Sequence, residues 1–200
     1  MRRNKRSLRK QDLYFLDKQT VVIHDFKADG FILDIGGGGE GVIGQLKGKQ
    51  VISIDLKKEE LLEAANGPLK IVMDATELRF LDNSFNSVTA FYSLMYMTTH
   101  EHGRVFSEVF RVLKDEGLFR IWDVRLTHRT CMNKPGFAVP VEVILPSRKI
   151  NVGYGSHWPE KKYDLNYYIE LAKKTGLQLV DKNATGDSLF LVLQKPIHKS

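Results

Sequence analysis

Short runs of apolar and β-branched residues alternate with longer amphipathic segments along most of this 200-residue chain. That alternation is typical of α/β proteins, in which helices return the chain to the same edge of a parallel sheet. Strands are predicted at residues 31–35, 50–54, 69–73, 86–92, 117–124, 177–183 and 188–195. Helices are predicted at residues 10–24, 41–47, 57–65, 99–114 and 164–175.

The last two predicted strands are joined by only the four residues from Ala184 to Asp187. So short a connection permits only an antiparallel hairpin, because a parallel pair needs a crossover of a dozen residues or more. We therefore predict an α/β fold with a seven-stranded, mostly parallel sheet, helices on both faces and a C-terminal antiparallel hairpin.

The first strand of this sheet runs directly into a glycine-rich loop, FILDIGGGGEG at residues 31–41. Glycines are needed where the backbone must approach a ligand closely or adopt positive φ angles. The amides of such a loop and the helix that follows it face the bound molecule. The spacing Gly36-x-Gly38-x-x-Gly41 also satisfies the dinucleotide fingerprint, so the loop alone leaves two cofactor classes open.

Two further acids end the next two predicted strands, Asp55 after VISI and Asp74 after KIVM. The carboxyl ends of parallel strands lie at one edge of a sheet, where open α/β sheets bind their ligands. Asp55 is therefore placed to accept hydrogen bonds from ribose hydroxyls, which suits either cofactor class. Asp74, beside the small Ala75, suits an adenine amino group, for which a nicotinamide site has less use.

With these residues in place, the chain resembles a class I S-adenosylmethionine-dependent methyltransferase over roughly residues 30–125. The segment LDIGGG at 33–38 resembles that family's first motif, with an acid two residues before the first glycine. Residues 80–88 and 108–117 resemble its passages into the fourth and fifth strands. The resemblance implies that Asp34 and the glycine loop hold the methionine part of the cofactor, Asp55 its ribose and Asp74 its adenine. The predicted cofactor-binding residues are Asp34, Gly36, Gly37, Gly38, Asp55, Leu56, Asp74, Ala75 and Tyr92.

Two features depart from the family pattern. The six residues from Gly36 to Gly41 replace the commoner Gly-x-Gly-x-Gly, which makes the loop one residue longer. The segment FYSLMY at 91–96 lacks the Asn/Asp-Pro-Pro-aromatic motif of enzymes that methylate exocyclic or amide nitrogens. That subclass is disfavoured.

Residues 126–160 form a segment that is additional to the minimal fold of the family. Two apolar stretches, 137–145 and 149–154, flank Pro146 to Arg148 and predict a two-stranded excursion with a turn. It leaves the fifth strand beside the predicted cofactor site, so we expect it to act as a lid or as a wall for the methyl acceptor. Tyr154, His157 and Trp158 would then face the acceptor, whereas a small satellite core under the loop is the alternative for Trp158.

Catalysis in this family needs little acid or base chemistry, because a sulfonium methyl group is already activated. Alignment of the acceptor can supply about 7 to 11 kcal/mol of the barrier, and a base is needed only for an acceptor that is protonated at neutral pH. The candidate catalytic residues are His100, Tyr96 and His157, with His102 and His128 as further histidines. No metal site is predicted, because His100-x-His102 lacks a third ligand.

The net charge of +6 comes from one end of the chain. The first ten residues carry six basic side chains and no acid, and the remaining 24 basic residues balance 24 acidic ones. We therefore predict a basic N-terminal arm over residues 1–10 and one methyltransferase domain over 11–200. A solvated arm is the simplest interpretation, and an arm that gathers nucleic acid, an anionic membrane or an acidic substrate is the functional one.

The single cysteine, Cys131, excludes an internal disulfide and a cysteine-rich metal site. No apolar run reaches the length of about 20 residues needed to cross a bilayer, and the N-terminus lacks the apolar stretch of a signal peptide, so a cytoplasmic protein is expected.

The predicted function is the transfer of a methyl group from S-adenosylmethionine to a small or medium acceptor, with S-adenosylhomocysteine as product. Three alternatives remain open at this point. One is an RNA or protein methyltransferase whose basic arm presents the substrate, and another is a non-catalytic S-adenosylmethionine-binding partner protein. The last is a nicotinamide oxidoreductase, which would bind NAD and be indifferent to changes at Asp74.

Overall fold

A seven-stranded sheet forms the centre of the molecule in the computed structural model, which describes residues 8–127 and 133–197. Its strands are β3 (Ile32–Ile35), β4 (Val51–Asp55), β5 (Leu69–Val72), β6 (Phe85–Phe91), β7 (Leu113–Val124), β10 (Gln178–Thr185) and β11 (Ser188–Gln194). Across the sheet they are ordered β10-β11-β7-β6-β3-β4-β5.

The five strands from β3 to β7 are mutually parallel, and β11 pairs antiparallel with both β7 and β10. The predicted sheet with its C-terminal antiparallel hairpin is thereby confirmed. Four of the five predicted helices are also present, as α1 (Val42–Lys47), α2 (Lys58–Glu63), α3 (Thr99–Val112) and α4 (Leu165–Thr175).

The central sheet is covered on both faces. All four residues of β3 are buried, and successive residues of a strand point to opposite faces. On β7, Phe119 packs edge-on against Phe106 of α3, at 5.5 Å between ring centroids. Trp122 lies three residues further along, so it points to the other face, where it contacts Phe91 at 6.2 Å.

A second sheet lies on the Trp122 side, since Phe91 also contacts Tyr154 of that sheet. Its long hairpin consists of β8 (Gly136–Leu145) and β9 (Arg148–His157), which confirms the two strands predicted between 126 and 160. Two short strands, β1 (Leu13–Phe15) and β2 (Gln19–Val22), pair in parallel with β8. The helix predicted at residues 10–24 is therefore wrong.

The reason for this error lies in residues 19–23. Val21 and Ile23 are buried while Thr20 and Val22 are exposed, which is the period of two that a β-branched run favours. β1 and β2 follow one another along the same edge of β8. The break between them falls beside Pro140, which has no N–H to donate to a neighbouring strand.

In the described ranges, no helix has the length and apolarity that crossing a bilayer requires. Residues 1–7 of the predicted basic arm, and also His128 and Cys131, lie outside the described residues.

Candidate functional site

A cleft of about 870 Å³ opens at the carboxyl ends of β3, β4, β5 and β6. The glycine-rich loop after β3 forms its floor, the residues after β4 and β5 form one side, and residues 91–97 form the other. Gly153, Tyr154 and Gly155 of β9 also line it. The second sheet thus contributes to the same cleft as the central sheet.

Gly36, Gly37 and Gly38 of the glycine loop leave no space for side chains. Gly36 has a φ of +71°, and a Cβ there would lie 2.4 Å from the Cβ of Ser93. A Cβ on Gly37 would lie 2.5 Å from Oδ2 of Asp34, and one on Gly38 would lie 2.6 Å from the Cβ of Glu60. The amides of Gly36 and Gly37 both donate to the carbonyl oxygen of Ile54, which fixes the loop to β4. Glycine is therefore required here both by conformation and by close approach.

Asp34 is the acid beneath this loop, and it is 2% exposed. Its Oδ1 accepts a hydrogen bond of 2.7 Å from the hydroxyl of Thr89. Burial raises the pKa of the Asp34 carboxyl from 3.8 to about 7, and the nearby charge of Asp55 adds to the rise. Asp34 consequently titrates close to neutral pH.

Asp55 and Asp74 each hold the turn that follows their strand. Oδ1 of Asp55 accepts from the amide of Lys57 at 2.9 Å, and Oδ1 of Asp74 accepts from the amide and hydroxyl of Thr76 at 2.9 and 2.8 Å. Oδ2 of Asp55 lies 2.9 Å from where a Cβ of Gly38 would stand. That carboxylate therefore faces the glycine loop across the floor of the cleft.

Tyr92 begins the opposite wall with a φ of +47°, which is unusual for an aromatic residue. Its amide donates to the carbonyl oxygen of Trp122 at 2.7 Å, and its hydroxyl lies within hydrogen-bond distance of the Ser188 hydroxyl. Its ring stacks on that of Tyr154, at 4.9 Å between centroids and an interplanar angle of 17°. The strained backbone thus places Tyr92 against the second sheet, and such strain is concentrated at functional sites.

The turn that carries Tyr96, residues 94–97, is anchored from three directions. The amide of Met95 donates to the buried carboxyl of Asp123 at 3.1 Å, and the hydroxyl of Tyr163 donates to the carbonyl oxygen of Met97 at 3.1 Å. Nε2 of His102 lies 2.8 Å from the carbonyl oxygen of Leu94. Three buried side chains therefore fix a segment that lines the cleft.

Tyr96 joins this turn to the second sheet. Its hydroxyl accepts a hydrogen bond of 3.3 Å from the amide of Gly155. Together with the Tyr92–Tyr154 stack, this contact holds β9 along the mouth of the cleft.

The structure gathers most of the residues predicted from the sequence. The residues that line the cleft include every predicted cofactor-binding residue, namely Asp34, Gly36, Gly37, Gly38, Asp55, Leu56, Asp74, Ala75 and Tyr92. Tyr96 and Tyr154 line it as well.

The other candidates lie elsewhere. His100 lines a separate, shallower groove with Glu77 and Arg104. His157 is at the end of β9, opposite Gly136 and outside the cleft lining that the described residues form. Trp158 packs on Phe137 at 4.9 Å, so it belongs to an aromatic contact beside the second sheet.

Acidic side chains dominate the cleft. Of the described residues that line it, seven are acids and one, Lys57, is basic. The sequence analysis had singled out only Asp34, Asp55 and Asp74. Glu40 was a missed residue whose position within the glycine loop was a usable signal, because that loop borders the predicted ligand site.

The comparisons with known proteins agree with this geometry. Residues 33–121 match the model of a family described as a methyltransferase domain. The match runs from β3 into β7 and includes the glycine loop and the acids Asp34, Asp55 and Asp74. No curated protein matches the chain.

Solved structures share the fold at low sequence identity. An S-adenosylmethionine-dependent methyltransferase from Methanosarcina mazei is 19% identical with a TM-score of 0.63, over 86% of this chain and 95% of that one. One from Mesorhizobium loti is 14% identical with a TM-score of 0.61, over 84% and 93%. A chain from a complex between the Trm112 methyltransferase activator of Haloferax volcanii and a methyltransferase is 16% identical with a TM-score of 0.60, over 88% of this chain and 86% of that one.

Proposed function

We propose, from the premise that this chain belongs to the class I S-adenosylmethionine-dependent methyltransferases, that it binds S-adenosylmethionine in the described cleft and methylates a small or medium acceptor. The observation that carries the proposal is the glycine loop, whose residues stand against Asp34, Asp55 and Ser93 with no room for a Cβ. A backbone packed this closely, at the carboxyl edge of a parallel sheet, suits a ligand that contacts main-chain atoms.

The residues present fit the cofactor. A cleft of about 870 Å³ has the size of an ordinary small-molecule site. Its excess of carboxylates favours a ligand with a sulfonium and an ammonium group, since opposite charges attract strongly in a site partly shielded from water. When bound there, the cofactor would supply an activated methyl group.

Each acid has its own part in this proposal. Asp34 and Gly36 to Gly38 of the glycine loop hold the methionine portion, Asp55 accepts hydrogen bonds from the ribose hydroxyls, and Asp74 with Ala75 contacts the adenine. Leu56, whose side chain is 53% exposed, covers one side of the nucleoside. Tyr92 lies across the cleft from the glycine loop, toward the reacting end.

The acceptor enters from the side of the second sheet. In this proposal the β8–β9 hairpin, which contacts Tyr92 and Tyr96, acts as the acceptor wall that the sequence analysis expected for residues 126–160. The protein's task is to place the acceptor atom in line with the methyl–sulfur bond and to exclude water, which requires no catalytic base for an unprotonated nucleophile.

Calorimetric titration with S-adenosylmethionine, S-adenosylhomocysteine and NAD tests the cofactor. We expect micromolar binding of both sulfur nucleotides, no binding of NAD, and loss of binding in Asp55→Ala. The matched control is Asp181→Ala, because Asp181 is an exposed acid whose carboxylate, like that of Asp55, accepts from a nearby backbone amide, but it lies on β10. Binding of NAD instead, or equal binding by Asp55→Ala and wild type, would refute the assignment.

A further inference from the structure

Some of the acids that line the cleft have hydrogen-bond or ion-pair partners and others do not. This difference indicates which chemical class of methyl acceptor the cleft suits. Asp34, Asp55 and Asp74 face the proposed cofactor. Oε1 of Glu60 pairs with Nζ of Lys57 at 3.1 Å. Oε2 of Glu101 accepts from the amide and hydroxyl of Thr98 at 2.7 and 2.9 Å, which caps α3.

Glu40 is different. Within the described residues, its carboxylate has neither a hydrogen-bond nor an ion-pair partner, although it lines the cleft and is only partly exposed. It stands in the glycine loop, so the backbone holds it in place: the amide of Gly41 donates to the carbonyl oxygen of Gly38 at 3.1 Å, and Nε2 of Gln45 to the Glu40 carbonyl oxygen at 2.5 Å.

Tyr154 lines the same cleft as this carboxylate. Burial raises the pKa of the Tyr154 hydroxyl, and the charge of Glu40 is the next largest cause of that rise. Glu40 is also among the charges that raise the pKa of Tyr96, after burial. The ring of Tyr154 is fixed by its stack on Tyr92 and by an edge contact with Phe91 at 6.1 Å. Its hydroxyl has no hydrogen-bond partner within the described residues.

We propose that the methyl acceptor carries an aliphatic amine, that Glu40 binds this amine through its carboxylate, and that the Tyr154 hydroxyl and the surrounding aromatic rings position it. This inference rests on the proposed function of the cleft. A carboxylate beside aromatic rings suits a cation, whose charge is attracted both by the acid and by the ring faces.

The reaction balances with the proposed cofactor alone. The ammonium form loses one proton to solvent, and the amine nitrogen then gives its lone pair to the methyl carbon. The carbon–sulfur bond breaks and its electron pair stays on sulfur, so that the products are the methylated ammonium and S-adenosylhomocysteine. Glu40 favours this outcome because the nitrogen gains positive charge as the bond forms.

Other acceptor classes fit the same cleft poorly. A carboxylate or phosphate on the acceptor would be repelled by Glu40, and the one basic residue among the described residues that line the cleft, Lys57, already pairs with Glu60. The same charge balance opposes a nucleic-acid strand, whose backbone requires basic contacts.

Calorimetry on the full chain saturated with S-adenosylhomocysteine tests the inference. The probes are phenethylamine, phenylpropanol and phenylpropionate, which share a phenylethyl group and carry a positive charge, no charge and a negative charge. We expect phenethylamine to bind at least about tenfold more tightly than phenylpropionate. Glu40→Gln should abolish this preference while Glu59→Gln, an exposed acid on α2 outside the cleft, retains it.

A second variant separates the hydroxyl from the ring. Tyr154→Phe keeps the stack on Tyr92, so we expect weaker binding of phenethylamine with unchanged affinity for S-adenosylhomocysteine. The inference is overturned if phenethylamine does not bind at millimolar concentration, if phenylpropionate binds as tightly, or if the preference survives in Glu40→Gln. Failure of S-adenosylhomocysteine itself to bind would instead refute the proposed function, so the two failures are distinct.

Discussion

His102 and Leu94 are joined by a hydrogen bond of 2.8 Å from Nε2 to the carbonyl oxygen. Because a carbonyl oxygen only accepts, Nε2 carries the proton, and Nδ1 accepts from the hydroxyl of Tyr167 at 2.8 Å. His102 is fully buried, and burial lowers its pKa below 6.5. The neutral imidazole thus connects α3 and α4 to the turn that carries Tyr96.

Replacement of His102 by leucine should lower the free energy of unfolding by about 1 to 3 kcal/mol per group left without a partner. It should also weaken the pH dependence of stability. The folded-state pKa is lowered, so the wild type keeps the full contribution above pH 6.5 and loses it as the pH falls toward the folded-state value. Urea unfolding at several pH values measures both effects. His100→Leu, an exposed neighbour, is the control, and an unchanged profile in His102→Leu would contradict the assignment.

Alanine at Gly36 should abolish S-adenosylhomocysteine binding, because its Cβ would lie 2.4 Å from the Cβ of Ser93 at a φ of +71°. Gly30 is a matched control, since its φ is +72° and a Cβ there meets nothing within 4 Å. Gly30→Ala should cost about 1 to 2 kcal/mol of stability from backbone strain alone. Gly36→Ala should cost about 1 to 3 kcal/mol more from the clash. Equal losses in urea unfolding would mean that the close approach is unimportant.

The affinity for S-adenosylmethionine should fall as the pH drops below about 7, because the Asp34 carboxyl then takes up a proton. A neutral carboxyl attracts a cationic ligand less than a carboxylate does. Titrations across this range should show the effect in the wild type and not in Asp34→Asn. Asp123→Asn is the control, because burial raises the pKa of Asp123 to about 7 as well, but this residue lies outside the cleft lining. If Asp34→Asn keeps the dependence and Asp123→Asn loses it, the titrating group is Asp123 and not Asp34.

Removal of residues 1–7 should leave S-adenosylhomocysteine binding unchanged, because the described residues that line the cleft all fall between 34 and 155. The deletion stops before Leu8, whose side chain packs against Gly136. Calorimetry in low and high salt compares the shortened and full chains. A large loss of affinity, or a changed salt dependence, on deletion would mean that the arm contributes to binding of S-adenosylhomocysteine.

The part of the site that follows from local sequence was predictable. Asp34, Asp55 and Asp74 each lie within two residues of the carboxyl end of a strand, and parallel pairing alone brings such residues to one edge. The same holds for the C-terminal hairpin, since its four-residue connection allows no other geometry.

Features that depend on distant pairing were not predictable. The Tyr92–Tyr154 stack requires the second sheet to fold over the first, which no local pattern reveals. His102 is an intermediate case. It lies three residues before Val105 and four before Phe106, which places it on the buried face of α3. His100 does not have this spacing, and it lies off that face. Helical periodicity would have separated the two histidines.

The position of β1 and β2 has a consequence for synthesis on the ribosome. Lys18, between these strands, forms an ion pair with Glu142 of β8, 124 residues further along. At typical elongation rates, roughly ten seconds pass between the emergence of the two segments. β1 and β2 therefore have no β8 to pair with while the glycine loop and the parallel strands around it are synthesised. They are consequently among the last strands to enter a sheet.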